Sequence, residues 1–255
     1  MCRRSFALLF SLCFAILHSG CEPYKDEDDD QKREPPKKER AAPETKSDAG
    51  REASQPGEDP FKPGVWVELF DGRTLNGWKV AEFGGEGKPR VENGLLIVPA
   101  GQTLSGVTST RKDLPKMGYE IELDAQKLEG DDFFCALTFP VGESHASLVL
   151  GGWGGSVCGI SSLDYQDAAN NETTKVIEFK AKEWYHVRMR ILPKRLRAWL
   201  DDEMIVDANT EDRKVDIRID ISESVPFGLA TYQTVGAYRN VRVRRLTAEE
   251  LKEQE

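Results

Sequence analysis

The chain has 255 residues, with 44 acidic against 35 basic side chains and a formal net charge of −9. That excess of acid, with no basic stripe interleaved with aromatics, argues against a nucleic-acid partner. Gly-x-Ser-x-Gly and phosphate-loop patterns are missing, which speaks against a serine hydrolase of that type and against a nucleotide enzyme.

Arg3 and Arg4 precede an apolar run over residues 6–17 that is too short to span a bilayer, and the run ends at Ser19-Gly20-Cys21. This pattern resembles a bacterial lipoprotein signal. The resemblance implies removal of residues 1–20 and a lipid on Cys21 that anchors the chain to a membrane of the bacterial cell envelope, on the periplasmic side or at the cell surface. His18 stands where that pattern usually carries an apolar residue, so secretion without an anchor is the alternative. No later stretch approaches membrane-spanning length.

Residues 21–62 are rich in charge, Pro, Ala, Ser and Gly, with almost nothing apolar to bury, and read as a disordered tether. The run Asp28-Asp29-Asp30 lacks the glycine and ligand spacing of a calcium loop and reads as a solvated charge run. Residues 63–246 are then the size of one domain.

Strand candidates follow at residues 66–70, 95–98 and 106–110. Tyr119, Ile121, Leu123 and Ala125 alternate with Glu120, Glu122 and Asp124, the period of a strand with one buried face. Further candidates cover residues 133–139, 146–150, 157–161 and 176–179. Alternation returns in Tyr185, Val187, Met189 and Ile191 against His186, Arg188 and Arg190, and again in Leu196, Ala198 and Leu200 against Arg197 and Trp199. Pro193-Lys194 and Asp201-Asp202 read as the turns on either side of this second run, the latter leading to Met204-Ile205-Val206. Residues 227–231 and 238–243 complete the set, and residues 247–255 form a short tail in which Thr247 and Glu250 have capping-box spacing. With no helix long enough to cover a parallel sheet, the sheets must cover each other. The expected fold is an all-β antiparallel sandwich.

One stretch reads like a site. Trp153 stands among Gly151, Gly152, Gly154 and Gly155, a flat apolar platform that a ligand can approach closely. Asp164, Tyr165, Asp167, Asn170, Asn171 and Glu172 follow, and such groups bond sugar hydroxyls while C–H faces lie on the indole. A rim turn around a core tryptophan is the bland alternative. Asp164, Asp167, Asn171 and Glu172 are also hard oxygen ligands for a divalent metal, although their spacing matches no dedicated calcium loop. Nothing resembles a zinc site. Cys135 and Cys158 are either a disulfide, permitted in an oxidising compartment, or two buried thiols.

VELFDGRTLNGWKV (residues 67–80), WYHVRMRILPKRLRAWLDDEMIVD (184–207) and FGLATYQTVGAYRNVRVRRL (227–246) resemble a bacterial family of 3-keto-disaccharide hydrolases and 3-keto-glucoside 1,2-lyases and hydratases. The resemblance implies a concanavalin A-like jelly roll. Members carry Asn-Ser-Gly where this chain has Asp131-Asp132-Phe133-Phe134, so their catalytic residues do not transfer by position. In the implied reaction a C3 ketone acidifies the C2 proton, a base removes it, and the enolate expels the C1 oxygen. His145, beside an apolar strand and near the tryptophan loop, is then the expected base, with Asp164 and Glu172 as acid or metal ligands. Trp153, Tyr165, Asn171, Tyr232 and Gln233 are the expected sugar contacts, and the ligand is a carbohydrate. No cofactor is required, a divalent metal being an option. Two alternatives stand beside this reading: a non-catalytic carbohydrate-binding lipoprotein module, and an envelope protein whose loops bind another protein.

Overall fold

Strict alternation of apolar and charged residues along the longest strands gives each sheet one greasy and one charged or small-residue face, and the greasy faces meet. The computed structural model describes residues 59–252. The expected signal at 1–20, Cys21 and nearly all of the tether lie outside them.

In chain order the first strands are β1 (Val67–Glu68), β2 (Trp78–Val80), β3 (Arg90–Glu92), β4 (Leu95–Val98) and β5 (Leu104–Ser109). The long β6 (Tyr119–Glu129) leads into β7 (Cys135–Val141), β8 (Ser144–Gly151), β9 (Val157–Ser161) and β10 (Lys175–Val176). A meander of β11 (Trp184–Leu192), β12 (Arg195–Leu200) and β13 (Glu203–Asn209) follows, and β14 (Gly228–Tyr232) and β15 (Val235–Arg245) close the domain. One sheet runs β13-β12-β11-β6-β15-β4-β3, with β1 also paired to β15, and the other runs β10-β9-β8-β7-β14-β5-β2. Strands distant in sequence, such as β6 and β15 or β5 and β14, are neighbours, and their pairing is antiparallel. This is the antiparallel jelly-roll sandwich that the sequence implies.

Ile121, Leu123, Val187 and Met189 from the first sheet meet Leu137, Phe139, Leu148 and Leu150 from the second, all fully buried. Each such side chain contributes about 1.5–3 kcal/mol by leaving water. Two buried tyrosines tie the layers: Tyr119 of β6 donates to the Pro140 carbonyl at 2.7 Å, and Tyr238 of β15 to that of Phe134 at 2.5 Å.

The outer face of the first sheet is a ladder of paired charges. Glu120 accepts from Arg190 and Arg244, Glu122 from Arg242, and Asp124 from Arg239 and Asn240. Trp66, Trp184 and Trp199 lie beneath arginines, with Arg242, Arg239 and Arg188 at 4.6, 4.1 and 4.1 Å from their ring centres. His186 belongs to this ladder, its Nδ1 2.9 Å from Asp124 Oδ1.

The opening motif is architectural. Asp71 Oδ1 accepts the Arg73 and Thr74 amides at 2.8 and 2.7 Å, Oδ2 accepts the Thr74 hydroxyl, and Trp78 Nε1 donates to the Leu69 carbonyl at 2.8 Å. Leu69 and Phe70 drop from the strand line into the core, so the strand expected at 66–70 shrinks to β1. Likewise the strand expected at 176–179 stops at Val176, because Phe179 turns inward against Phe134 and Tyr185 at 4.9 and 5.0 Å. β2 and β3, three residues each, were too short to show a period. The folded part also reaches back before Pro63: Phe61 is buried and Asp59 pairs with Arg245. At the other end the capping box forms in both directions, Thr247 N–H to Glu250 at 2.9 Å and Glu250 N–H to Thr247 Oγ1 at 3.2 Å, starting the helix Ala248–Lys252.

Cys135 and Cys158 are both buried and free. Cys135 pairs with Leu150 of β8, and the β8–β9 register, with Val149 opposite Gly159, carries that row on to Cys158. One whole strand therefore separates them, a Cα gap of roughly 9.5 Å at ordinary strand spacing, beyond the reach of a disulfide.

Candidate functional site

Ser147 and Val149 alternate with core residues Leu148 and Leu150, so they point out of the sandwich. Register sets Ala136 beside Val149, Ala230 beside Ala136, and Gly106 beside Ala230. This row of short side chains makes a trough on the outer face of the second sheet. A Cβ on Gly106 would stand 2.9 Å from the Leu229 carbonyl and 3.1 Å from the Phe83 ring, so only glycine lets Phe83 come down as one wall. A 3-10 helix, Ile219–Ser224, brings Asp220 and Ile221 to another wall. The resulting cleft encloses about 690 Å³, within the usual range for small-molecule sites.

One end is aromatic. Phe133 and Tyr232 pack with ring centres 5.9 Å apart, and Trp153 stands beside them, 46% exposed. Trp153 itself has φ 49°, inside a turn in which Gly151, Gly154 and Gly155 also have positive φ, so its indole is set by the turn and not by core packing. Asp132 organises this end: Oδ2 accepts the Gly154 amide at 3.1 Å, Oδ1 accepts the Phe133 amide at 2.8 Å, and its own amide donates to Thr234 Oγ1 at 3.1 Å.

The opposite chemistry comes from Arg218. Its Nε and Nη2 donate to the two Asp220 oxygens at 3.1 and 3.0 Å, and Nη1 donates to Asp167 Oδ2 at 3.0 Å. Asp167 Oδ1 accepts the Ala169 amide and the Asn170 side chain at 3.0 and 2.7 Å. Asp220 first and then Asp167 hold the guanidinium proton more tightly than usual, against partial burial. The geometry leaves Arg218 two N–H bonds to offer a ligand.

Trp153 and Tyr232 are thus brought together in the cleft. The other expected residues are placed elsewhere. Gln233 fastens the rim, its Nε2 donating to the Gln102 carbonyl at 2.9 Å. Asn171 is a buried brace: Nδ2 donates to the carbonyls of Ile160, Gln166 and Asp167, and Oδ1 accepts from Thr173. Asp164 and Glu172 both take Arg213, and Tyr165 receives Lys214 Nζ at 2.7 Å. His145 faces the same side of the sheet as Ser147 and Val149, but pairs with Pro140 at the turn end of the hairpin. From there β8 runs roughly 20 Å to the tryptophan turn. Burial, and then Lys116, push its imidazole below the ordinary range.

The oxygen set considered for a metal does not converge. Asp164 and Glu172 are spent on Arg213, Asp167 on Arg218, and the Asn171 amide inside its own loop. Among the described residues no group of three or more His, Cys, Asp or Glu is placed to hold a metal ion.

Asp132, Phe133, Phe83, Ser161, Arg218 and Asp220 also line the cleft, and none of them is among the expected ligand contacts. The signal for two of them was present: Asp216, Arg218 and Asp220 alternate with Val215, Ile217 and Ile219, a strand-like pattern with an arginine between acids.

A family model described as a 3-keto-alpha-glucoside-1,2-lyase-like domain matches residues 65–244. No curated protein matches the chain. Among solved structures, a candidate glycosyl hydrolase from Parabacteroides distasonis is similar at 16% identity and TM-score 0.46, covering 71% of this chain and 94% of its own. A carbohydrate binding module from Bacillus subtilis is similar at 17% identity and TM-score 0.43, with 66% and 95% covered. A candidate beta-glucanase from Mycobacterium abscessus is similar at 13% identity and TM-score 0.43, with 71% and 100% covered.

Proposed function

The chain belongs to the 3-keto-alpha-glucoside-1,2-lyase-like family, and from that premise we propose that its cleft binds a 3-keto-glucoside and breaks the glycosidic bond by elimination across C1 and C2. The observation that carries this reading is the presence of Asp132 and Arg218 in one cleft whose end is aromatic. Asp132 is bonded only by amides, whereas Asp167 and Asp220 are both spent on Arg218. Asp132 is therefore the carboxylate of the cleft lining that no cation occupies among the described residues.

In this reading the C3 ketone acidifies the C2 proton, which passes to Asp132. The N–H groups that Arg218 has left face the enolate oxygen and stabilise its charge. The enolate then collapses: the C3 ketone re-forms, the electron pair makes the C1–C2 double bond, the C1–O bond breaks, the departing oxygen takes a proton from water, and the hydroxide left takes the proton held on Asp132. Addition of water across the double bond makes the net result hydrolysis. His145, outside the cleft lining, has no part in this version, and Phe133, Trp153 and Tyr232 hold the C–H faces of the sugar.

The test is incubation of the purified chain with methyl 3-keto-α-glucoside. Loss of glycoside, with an unsaturated 3-keto sugar or free 3-keto-glucose appearing, is expected; an unchanged substrate overturns the reading. A second reading, carbohydrate binding without turnover, is favoured by the amides that already occupy both Asp132 oxygens and by the exposed Trp153. Binding with no product would establish it.

For location we propose the envelope, with a lipid on Cys21 and a charged tether carrying the domain. Intact-mass analysis of the membrane-extracted chain would show the mature N-terminus at Cys21 with an added lipid mass; a soluble, unmodified chain would contradict it.

A further inference from the structure

Among the described residues, three buried hydroxyls find no partner: those of Ser161, Ser224 and Thr231. Only Ser161 lines the cleft. It closes β9, where Cys158 and Ile160 face the core, so alternation turns Ser161 to the cleft side. Register sets it beside Ser147, which is itself beside Thr138, giving a row of hydroxyls across β9, β8 and β7. Two of the three satisfy each other: Thr138 Oγ1 and Ser147 Oγ are 2.8 Å apart. Ser161 is 3% exposed and its hydroxyl is left over. A buried hydroxyl without a partner destabilises a fold, and alanine at the same place would carry no such cost.

We infer that Ser161 is a specificity residue of the cleft, and that its hydroxyl bonds the sugar hydroxyl that reaches deepest toward the floor. A serine hydroxyl rotates and both donates and accepts, as a sugar hydroxyl does, so the two complete each other. The inference rests on the cleft being a sugar site. It does not depend on the elimination chemistry.

The experiment uses the full chain, wild type and Ser161→Ala, with methyl α-glucoside, its 2-, 3-, 4- and 6-monodeoxy analogues, and methyl 3-keto-α-glucoside, read by titration calorimetry. For wild type, one monodeoxy analogue binds about tenfold more weakly than its parent, the loss of roughly one hydrogen bond. Ser161→Ala binds the parent about tenfold more weakly and no longer distinguishes that analogue. Its melting temperature is unchanged or higher, because the free protein loses an unpaired group. Ser161→Cys, close in volume and a poor hydrogen-bond partner, behaves as the alanine variant does.

Wild-type affinity in Ser161→Ala, two losses that add in full, or a lowered melting temperature would each overturn the inference, the last by showing a bond already made in the free protein. If wild type binds none of these sugars, the inference falls together with both carbohydrate readings. Sugar binding with the Ser161 signature but no turnover of the ketone would leave it standing and remove only the elimination chemistry.

Discussion

The Asp132 carboxylate accepts the Gly154 amide at 3.1 Å, so one side chain both faces the cleft and ties the start of β7 to the turn that carries Trp153. In the proposed reaction, proton abstraction and sugar stacking would be coupled through it. Asp132→Asn keeps one oxygen, enough for the Gly154 amide but not for that of Phe133 as well, and cannot take a proton. It should lower kcat on methyl 3-keto-α-glucoside by about 10²–10⁴-fold with a small change in KM. Asp132→Ala should raise KM as well, since the tryptophan turn loses its tie.

Arg218 is matched to Asp220 by a planar fork, which lysine cannot reproduce. Arg218→Lys should therefore cost about as much as removing one charge-stabilising donor, on the order of 10²-fold in kcat. Arg218→Ala should fall further and also lower the melting temperature, because Asp167 and Asp220 then share a wall with no cation between them. Parallel kinetics and thermal melts check both.

Glu120 lies on the charged face yet is 1% exposed, covered by Arg190 and Arg244. Removing it leaves two largely buried guanidinium groups with Glu250 as the one carboxylate they share. Glu120→Ala should lose about 1.5–3 kcal/mol in urea unfolding, because Glu250 still faces both arginines, while ligand binding in the cleft of the folded variant is unchanged. A loss under 1 kcal/mol would mean that water reaches the arginines.

Backbone hydrogen bonds from Thr74 first, then the Thr74 hydroxyl and the Arg73 amide, lower the Asp71 carboxyl from its ordinary 3.8 to about 2. Its folded pKa lies below the unfolded one, so its contribution is complete above about pH 4 and is lost as pH falls toward about 2. Across that window, the urea midpoint of wild type should fall more steeply than that of Asp71→Asn. Parallel curves would show that the turn does not depend on the charge.

Burial pushes the Cys158 thiol up to about 11, with a hydrogen bond from the Gly151 amide pulling the other way, and raises Cys135 further. Both should resist iodoacetamide in the native chain at neutral pH and react once it is unfolded, as read by peptide mass spectrometry. A peptide linking Cys135 to Cys158 should be absent even after mild oxidation.

The strands that were legible are those with one dry and one wet face. β6, β11 and β12 announce themselves because Ile121, Val187 and Leu196 must leave water while Glu122, Arg188 and Arg197 must stay in it. β2, β3 and β10 are two or three residues long and carry no period to read. The turn around Trp153 was legible from its glycines. Asp164, Tyr165, Asn171 and Glu172 looked like ligand groups because they are polar and close in sequence. Their hydrogen bonds instead go to Arg213, Lys214 and their own loop.

The sequence by itself determined the all-β class, the face that each long strand buries, the turn positions and the closing capping box, because each follows from local periodicity and backbone preference. Only the tertiary structure decided the cleft. Asp132, Ser161, Arg218 and Tyr232 come from four separate parts of the chain, and meet because antiparallel pairing makes neighbours of β5, β14, β7, β8 and β9. Which carboxylate keeps its oxygens free of a cation, and which hydroxyl has no partner, depends on contacts across that sheet, and no pattern along a single strand records them.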